Sequence, residues 1–505
     1  MDSTRQLKNG AIISYAAIAF NIISGLLYTP WMVATIGKSQ YGLYTLAHSV
    51  ITLFLVDFGL SSATGRYLSK YNASGDRAGA ESFLGAIYKL YILLDAIILC
   101  VLTVVFFLLD RIYVNLTPTE LEQFKVVYAI SALFSVINFP FVTFNGILTA
   151  YEKFVPLKLA DLLYRVFNIG FTVVALLMGY GLYALVTVHA VVGILSLVFK
   201  YVIISRTVPL KVNFHSAGWG IYKDIFGFSV WVTVSSLAHR LIFNITPSVL
   251  GIVSNSAAIA VFGIVNTIEG YAYTITKALN GMFMPRVAKI MTGEQAKDDL
   301  NRLFVDVGRF QGAINGLIVA GFAVLGRSFI GLWMGAGYEE AYAGILLVLI
   351  PGLFYNPLQI GNTAMIIENK VKQTAMVNLA TGVINVVLSF VFSRIFGVVG
   401  ACMSICVAYF ARDILFHIIY HRELPLDIVA FMKACYGRMS VPIVLTLGCG
   451  MLINSAIADS GWMVFLIKGA LVVAAYLVFV YFFGLKSEER RTLISRTQKR
   501  LIKEK

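Results

Sequence analysis

The sequence predicts an all-α integral membrane protein of fourteen transmembrane helices, built as two six-helix lobes related by a pseudo-twofold axis along the membrane normal, plus a C-terminal helix pair. Three observations carry this expectation. Apolar runs of about twenty residues, the length that crosses the hydrocarbon core as a helix, follow one another along almost the whole chain. Of the 505 residues, 59% are hydrophobic and only 13% charged, a balance that a soluble domain could not hide from water. The runs also form two matching sets. Phe243-Asn244-Ile245-Thr246-Pro247-Ser248 echoes Leu27-Tyr28-Thr29-Pro30-Trp31. Pro357, Glu368 and Gly397 fall where Pro140, Glu152 and Gly181 would lie after a shift of about 216 residues.

The first lobe, residues 1–205, holds windows near 11–35, 42–63, 84–108, 126–148, 159–179 and 181–203. The second, residues 206–436, holds windows near 226–250, 256–282, 310–333, 343–366, 374–394 and 397–419. A last pair near 439–458 and 461–484 occupies residues 437–485, and a basic tail fills 486–505. Six spans return the chain to its starting side, so the two repeats run parallel. Arg5 and Lys8 precede the first run without a small-residue cleavage site, which predicts an uncleaved first span. Pro30 and Pro247 stand inside spans, where proline removes a backbone donor and bends the helix. Each bend is open to two readings, a packing kink or a cavity-lining hinge.

Basic residues set the orientation. Loops on the N-terminal side hold Arg66, Lys70, Arg77, Lys153, Lys158, Lys200, Arg206, Arg286, Lys370, Arg422 and others. The opposite side shows only Lys38, Arg111, Lys125, Arg327 and Arg394. Both termini are therefore expected in the cytoplasm. The formal charge of +14 then reports topology and contact with anionic lipid, and no nucleic-acid partner is expected. Cys100, Cys402, Cys406, Cys435 and Cys449 show no metal-like pairing and read as small hydrophobes. No nucleotide-binding loop, catalytic carboxylate pair or metal cluster is present, so no cofactor is expected. With short outer loops, function should lie between helices, and a duplicated bundle reads as a transporter.

Between the first two spans, Ile36-Gly37-Lys38-Ser39-Gln40-Tyr41-Gly42-Leu43-Tyr44 resembles a signature of the Wzx-type polysaccharide flippases. These belong to the multidrug/oligosaccharidyl-lipid/polysaccharide exporter superfamily. Asp57-Phe58-Gly59-Leu60, followed by Arg66-Tyr67, is similar to what that family carries at the end of its second span. The resemblance covers essentially the whole chain. It implies a flippase moving polyprenyl-diphosphate-linked oligosaccharide (O-antigen, capsule or a related repeat unit) from the cytoplasmic to the outer leaflet by alternating access. It further implies a bacterial inner membrane, membrane lipids and a polysaccharide polymerase of the same pathway as partners, and a polyprenyl-tail groove shaped by the last two spans. The alternatives are a multidrug or cation antiporter on the same fold and, from another class, a membrane polysaccharide polymerase or ligase. The latter needs a sizeable outer loop, which this chain lacks.

A charge in mid-span costs roughly 2.5–3.5 kcal/mol, so each one needs a reason. Arg240, in the seventh span with His239 beside it, leads the candidates. A planar, permanently charged guanidinium suits two-pronged contact with phosphate. The alternative is a pair with a buried carboxylate such as Glu269 or Asp57. Lys277, His239 and Arg66 complete the expected diphosphate site. Asp57 and Glu269 are the candidate ion-coupling carboxylates. His48, Asn21, Asn145, Asn266 and Tyr271 are expected as polar cavity lining for the sugar, with ordinary interhelical hydrogen bonds as the alternative for each. Asp161 and Arg165, spaced i, i+4, read as a structural pair. Lys89 reads as snorkelling and Lys468 as an interfacial anchor.

Overall fold

The structure is a computed structural model and describes residues 3–214, 219–280, 283–293, 295–368, 370–424, 426–485 and 490. The basic tail at Lys486, Arg491, Arg496, Lys499, Arg500, Lys503 and Lys505 lies outside the described residues, as do the side chains of Arg5 and Lys8. Among the described residues every regular element is helical. A bilayer offers the backbone no hydrogen bonds, so a helix, which satisfies its own, is the available spanning form. Among the described residues twelve helices are long and apolar enough to cross a membrane. Their outer faces carry large apolar side chains such as Leu27, Phe107, Leu452 and Met463, each more than 70% exposed, which lipid solvates.

The chain divides into two compact units, Met1–Gly263 with Asn378–Gly397, and Ile264–Val377 with Val398–Lys505. The first unit begins with α1 (Ser3–Ile36), α2 (Lys38–Phe54) and α3 (Leu60–Ser74). The apolar run predicted as one span over 42–63 is thus two helices with a break at residues 55–59. Phe58 and Gly59 both turn to positive φ there, 49° and 68°, which no helix accommodates. Next, α4 (Arg77–Ile112) starts on the Asp76 carboxylate, which accepts the Gly79 N–H at 2.8 Å. Helix α5 (Pro118–Asn138) starts on a capping box between Thr117 and Glu120, with Pro118 in the first turn, where its missing N–H costs nothing. It passes through a 3₁₀ turn at Phe139–Val142 into α6 (Thr143–Ala150). Then follow α7 (Phe154–Leu177), α8 (Gly181–Thr207), α9 (Trp219–Phe243), α10 (Ile245–Val253) and the start of α11 (Ser256–Asn280). Phe83, Tyr91, Phe124 and Tyr128 fill the core of this unit. Helices α9 and α10 pack on α2.

Two glycines set the closest approach in the first unit. A Cβ on Gly42 of α2 would lie 2.0 Å from the Ser256 carbonyl oxygen at the start of α11. A Cβ on Gly263 of α11 would meet Thr45 and Tyr41 of α2 at 3.0 and 3.1 Å. Small residues on both partners let the two backbones touch. Beside this crossing, the Ser39 and Ser256 hydroxyls both donate to Glu120 Oε1 at 2.5 Å.

The second unit continues α11 and adds α12 (Met284–Met291), α13 (Ala296–Met334), α14 (Glu340–Leu349), α15 (Gly352–Tyr355), α16 (Gln359–Ile367), α17 (Val371–Glu423), α18 (Ile428–Met432), α19 (Arg438–Ala456) and α20 (Trp462–Phe479). Between α15 and α16 lies a 3₁₀ turn at Asn356–Leu358. Helix α17 takes in both windows predicted at 374–394 and 397–419, with Gly397 non-helical inside it (φ 56°, ψ −130°). Its residues Asn378–Gly397 belong to the first unit. The core packs Phe304 against Phe431 (centroids 4.2 Å apart), with Phe416 and Tyr420 beside them.

Residues matched between the two halves of the sequence share local backbone geometry. Pro140 and Pro357 each sit in a 3₁₀ turn that interrupts an apolar run. Gly181 and Gly397 each adopt left-handed φ, at 57° and 56°.

Candidate functional site

In the first unit the site grows from the broken second span. Asp57 stabilises the break locally, its Oδ1 accepting the Gly59 N–H at 3.0 Å and its carbonyl the Leu60 N–H at 2.9 Å. Unwinding inside a bilayer also strands carbonyls that a continuous helix would have used. Arg240, in the last turn of α9, donates from Nη2 to the Leu55 carbonyl at 2.6 Å. Asp57 lies near enough to act on Arg240 electrostatically. Nη1 is buried and has no hydrogen bond. One arm of the guanidinium therefore holds the break, and the other is available. His239 beside it is exposed, its ring 5.0 Å from that of Phe243. Arg66, on α3, is exposed over the Tyr67 ring at 6.0 Å.

The polar-lining candidates divide. Asn145 accepts from Lys200 Nζ at 3.0 Å, and Lys200 is also bonded to Asp161 Oδ1 at 3.0 Å. This corrects the pairing read for Asp161. Its partners are Lys200 across the helix interface and Lys158 at 3.8 Å, because i, i+4 spacing fixes only neighbours on one helix. Asn21 is half-buried on α1, its carbonyl 3.5 Å from the Ser24 hydroxyl. His48 stands on α2 with its ring exposed, near His189 of α8.

The second unit holds Glu269, Asn266, Tyr271 and Lys277, all on α11. The first three are half-buried, and Lys277 is exposed with Nζ 5.4 Å from the Tyr273 ring centroid. Glu269 faces Arg412, a residue the sequence reading passed over. Arg412 is buried, its guanidinium 3.6 Å from the centroid of the Tyr355 ring and 3.9 Å from that of Tyr409. That is a cation–π seat made of two rings. Its neighbour Asp413 is also buried, 3.8 Å from Arg412 Nε, and neither carboxylate oxygen takes a hydrogen bond. Two adjacent charges inside the apolar run 397–419 were the available signal.

Lys468 of α20 also differs from expectation. Its side chain is fully buried, Nζ bonded to Asn454 Oδ1 at 2.9 Å and to Asp459 Oδ1 at 2.5 Å. Asp459 lies in the loop between α19 and α20 and also accepts the Ser328 hydroxyl at 2.6 Å. The Lys468 and Ser328 hydrogen bonds hold its carboxyl below the ordinary range. A depressed folded-state value contributes stability above the unfolded value of about 3.9, lost as pH falls through the folded one. Asp459→Asn should therefore lower the unfolding temperature in detergent by several degrees at pH 7. The gap to wild type should close below about pH 4. A gap that persists unchanged down to pH 2 would contradict the ion pair's role.

Among the described residues the fold is all-helical and multi-pass, and it is shared with solved structures of a lipid flippase and of multidrug transporters. A structure titled "Lipid II flippase MurJ, inward closed conformation" superposes with a TM-score of 0.72 at 13% identity, covering 96% of this chain and 99% of that one. An inward-facing multidrug resistance MATE family transporter gives 0.70 at 15% identity, covering 84% and 99%. By sequence, the chain is 21% identical over 96% of both chains to "Uncharacterized membrane protein EpsK" of Bacillus subtilis (strain 168). It is 20% identical to "Putative O-antigen transporter" of Escherichia coli (strain K12), over 80% of this chain and 94% of that protein. The profile of the family described as "Polysaccharide biosynthesis protein" matches residues 7–291, and the chain belongs to that family. The resemblance read from Ile36–Tyr44 and Asp57–Tyr67 is thereby borne out.

Proposed function

We propose that the protein is a flippase for polyprenyl-diphosphate-linked oligosaccharide (O-antigen, capsule or a related repeat unit), carrying it from the cytoplasmic to the outer leaflet of a bacterial inner membrane by alternating access. One observation carries this reading. A permanently charged guanidinium, Arg240, stands in an apolar span with one arm on the Leu55 carbonyl and the other buried without a hydrogen bond. A diphosphate supplies the acceptors that arm lacks. Family membership supports the saccharide, and the relatives named for O-antigen and lipid II support a lipid-linked form. Arg66, His239 and Lys277 serve the diphosphate in this reading, Asp57 and Glu269 the coupling ion. His48, Asn21, Asn145, Asn266 and Tyr271 line the sugar path. The protein acts as a carrier and not as an enzyme, handing its cargo to a polymerase.

The same proposal counts fourteen crossings. Helix α17 counts as two, since its 53 residues rise about 80 Å against a hydrocarbon core of about 30 Å, and Gly397 interrupts it. Helices α2 and α3 count together as one. The matched prolines and glycines support two lobes, 1–205 and 206–436, about a pseudo-twofold axis, a division by repeat where the compact units are a division by contact. The helix pair in 437–485 shapes the tail groove, and the Lys/Arg bias puts both termini in the cytoplasm.

Cells lacking the protein should accumulate lipid-linked glycan on the cytoplasmic face. Purified protein in proteoliposomes should expose a labelled polyprenyl-diphosphate glycan to an impermeant reagent. If neither happens, the flippase reading fails. The MATE-like fold and the buried Asp413 carboxylate favour a second reading, a cation antiporter. Loss of drug resistance with normal glycan export would select it.

A further inference from the structure

We propose that the first unit carries a subsite for a neutral sugar ring, built on Tyr44 and His48 of α2 with Tyr28 of α1, Tyr164 of α7 and His189 of α8. The inference rests on the flippase reading and names which part of its cargo this unit touches.

Helix α2 is two-sided. Leu43, Leu46, Ala47, Val50 and Ile51 are buried in the unit's core, while Tyr44, Thr45, His48 and Thr52 are not. Positions 44, 48 and 52 recur at one turn, so the uncovered side of this helix is a polar stripe. A lipid-facing side would be apolar, as the exposed leucines and phenylalanines elsewhere are. The His48 ring is exposed yet surrounded by protein, the position of a group on the wall of a cavity.

Its neighbours share one chemistry. The Tyr164 hydroxyl bonds to His189 Nδ1 at 2.7 Å, and the two rings meet edge to face at 5.8 Å. His48 lies close to His189, and Tyr44 close to both Tyr164 and Tyr28. Tyr28 in turn faces Thr172 of α7. Thus four helices bring three phenols and two imidazoles together. Neither the Tyr44 hydroxyl nor the His48 ring has a hydrogen-bond partner among the described residues. At membrane depth, polar groups left unmatched by protein need a ligand or water to bond.

The chemistry of that ligand follows from the donors. Phenol and neutral imidazole each give and accept hydrogen bonds without net charge, which suits hydroxyls. Aromatic faces, negative at the centre, suit the C–H face of a pyranose. A phosphate would instead draw fixed cations, as at Arg240. The assignment therefore separates a sugar contact on α2, α7 and α8 from the diphosphate contact on α9.

The test compares two lipids on purified full-length protein in nanodiscs. One is the glycolipid extracted from membranes of cells depleted of the protein, the other undecaprenyl diphosphate without sugar. His48→Ala and Tyr44→Phe should each weaken glycolipid binding three- to tenfold and leave the bare lipid unchanged. Tyr44→Phe removes a single hydroxyl, so it keeps the test sound should His48→Ala fold poorly. Equal losses for both lipids, or none for either, would overturn the sugar subsite while leaving the flippase standing. Failure of wild-type protein to bind either lipid would remove both.

Discussion

Arg240→Ala should cut the initial rate of head-group flipping in proteoliposomes at least tenfold. Two losses act together. The Leu55 carbonyl at the break loses its 2.6 Å donor, and a buried acceptor stripped of its partner costs about 1–3 kcal/mol. The second loss is the arm that carries no hydrogen bond in this structure and that the proposal gives to phosphate. Arg240→Lys separates them. An ammonium keeps the charge but has no fork, so it can serve the carbonyl or the diphosphate but not both in plane. The lysine variant should therefore keep near-normal thermal stability and recover only part of the flipping rate. Wild-type flipping by Arg240→Ala, with the variant shown folded, would end the role assigned to this residue.

Much of the fold was legible because hydrophobic length is a direct physical requirement of the bilayer. The matched positions of the two halves stand out for another reason: they are residues whose backbone needs are unusual. Pro140 and Pro357 each end up in a 3₁₀ turn, and Gly181 and Gly397 each take the left-handed φ that a side chain would resist. What hydropathy hides is a break within an apolar run. Leu55–Gly59 stays apolar enough to read as membrane span, yet Phe58 and Gly59 turn the chain out of helix. The break at Gly397 is the converse case, since the windows at 374–394 and 397–419 part there and the backbone turns non-helical inside α17.

Pairings across helices were less legible than positions along them. Asp161 chose Lys200 over Arg165, and Lys468 is buried against Asp459 and Asn454. Both outcomes depend on which faces meet, and one chain's periodicity carries no such information. Arg412 and Asp413 were missed although two charges in an apolar run are visible by eye. Their aromatic seat on Tyr355 and Tyr409 requires α15 and α17 to meet. Arg240 stood out in the sequence as a charge needing a reason. Its partner, a carbonyl freed by a broken helix, is one that no residue type announces.

Joining α2 to α11 should slow transport more than tenfold. The Ser39 and Ser256 hydroxyl oxygens are 3.1 Å apart and share Glu120 as acceptor. Next to them Gly42 lies so close to Ser256 that a Cβ would come within 2.0 Å of its carbonyl oxygen. In the proposed topology this contact lies on the side facing away from the cytoplasm, where the head group must emerge. It joins the second span of one repeat to the corresponding span of the other, so alternating access requires it to part. Disulfides form where Cβ atoms approach within about 3.5–4.5 Å, a range that hydroxyl oxygens 3.1 Å apart allow. In a Cys100→Ser background, oxidised Ser39→Cys/Ser256→Cys protein should flip more than tenfold slower than wild type, and reductant should restore it. Each single substitution should stay active under the same oxidant, which separates the cross-link from the loss of a hydroxyl. If a fully cross-linked protein flips at the wild-type rate, α2 and α11 stay together throughout the cycle, and the cargo leaves by a path that does not divide the two repeats there.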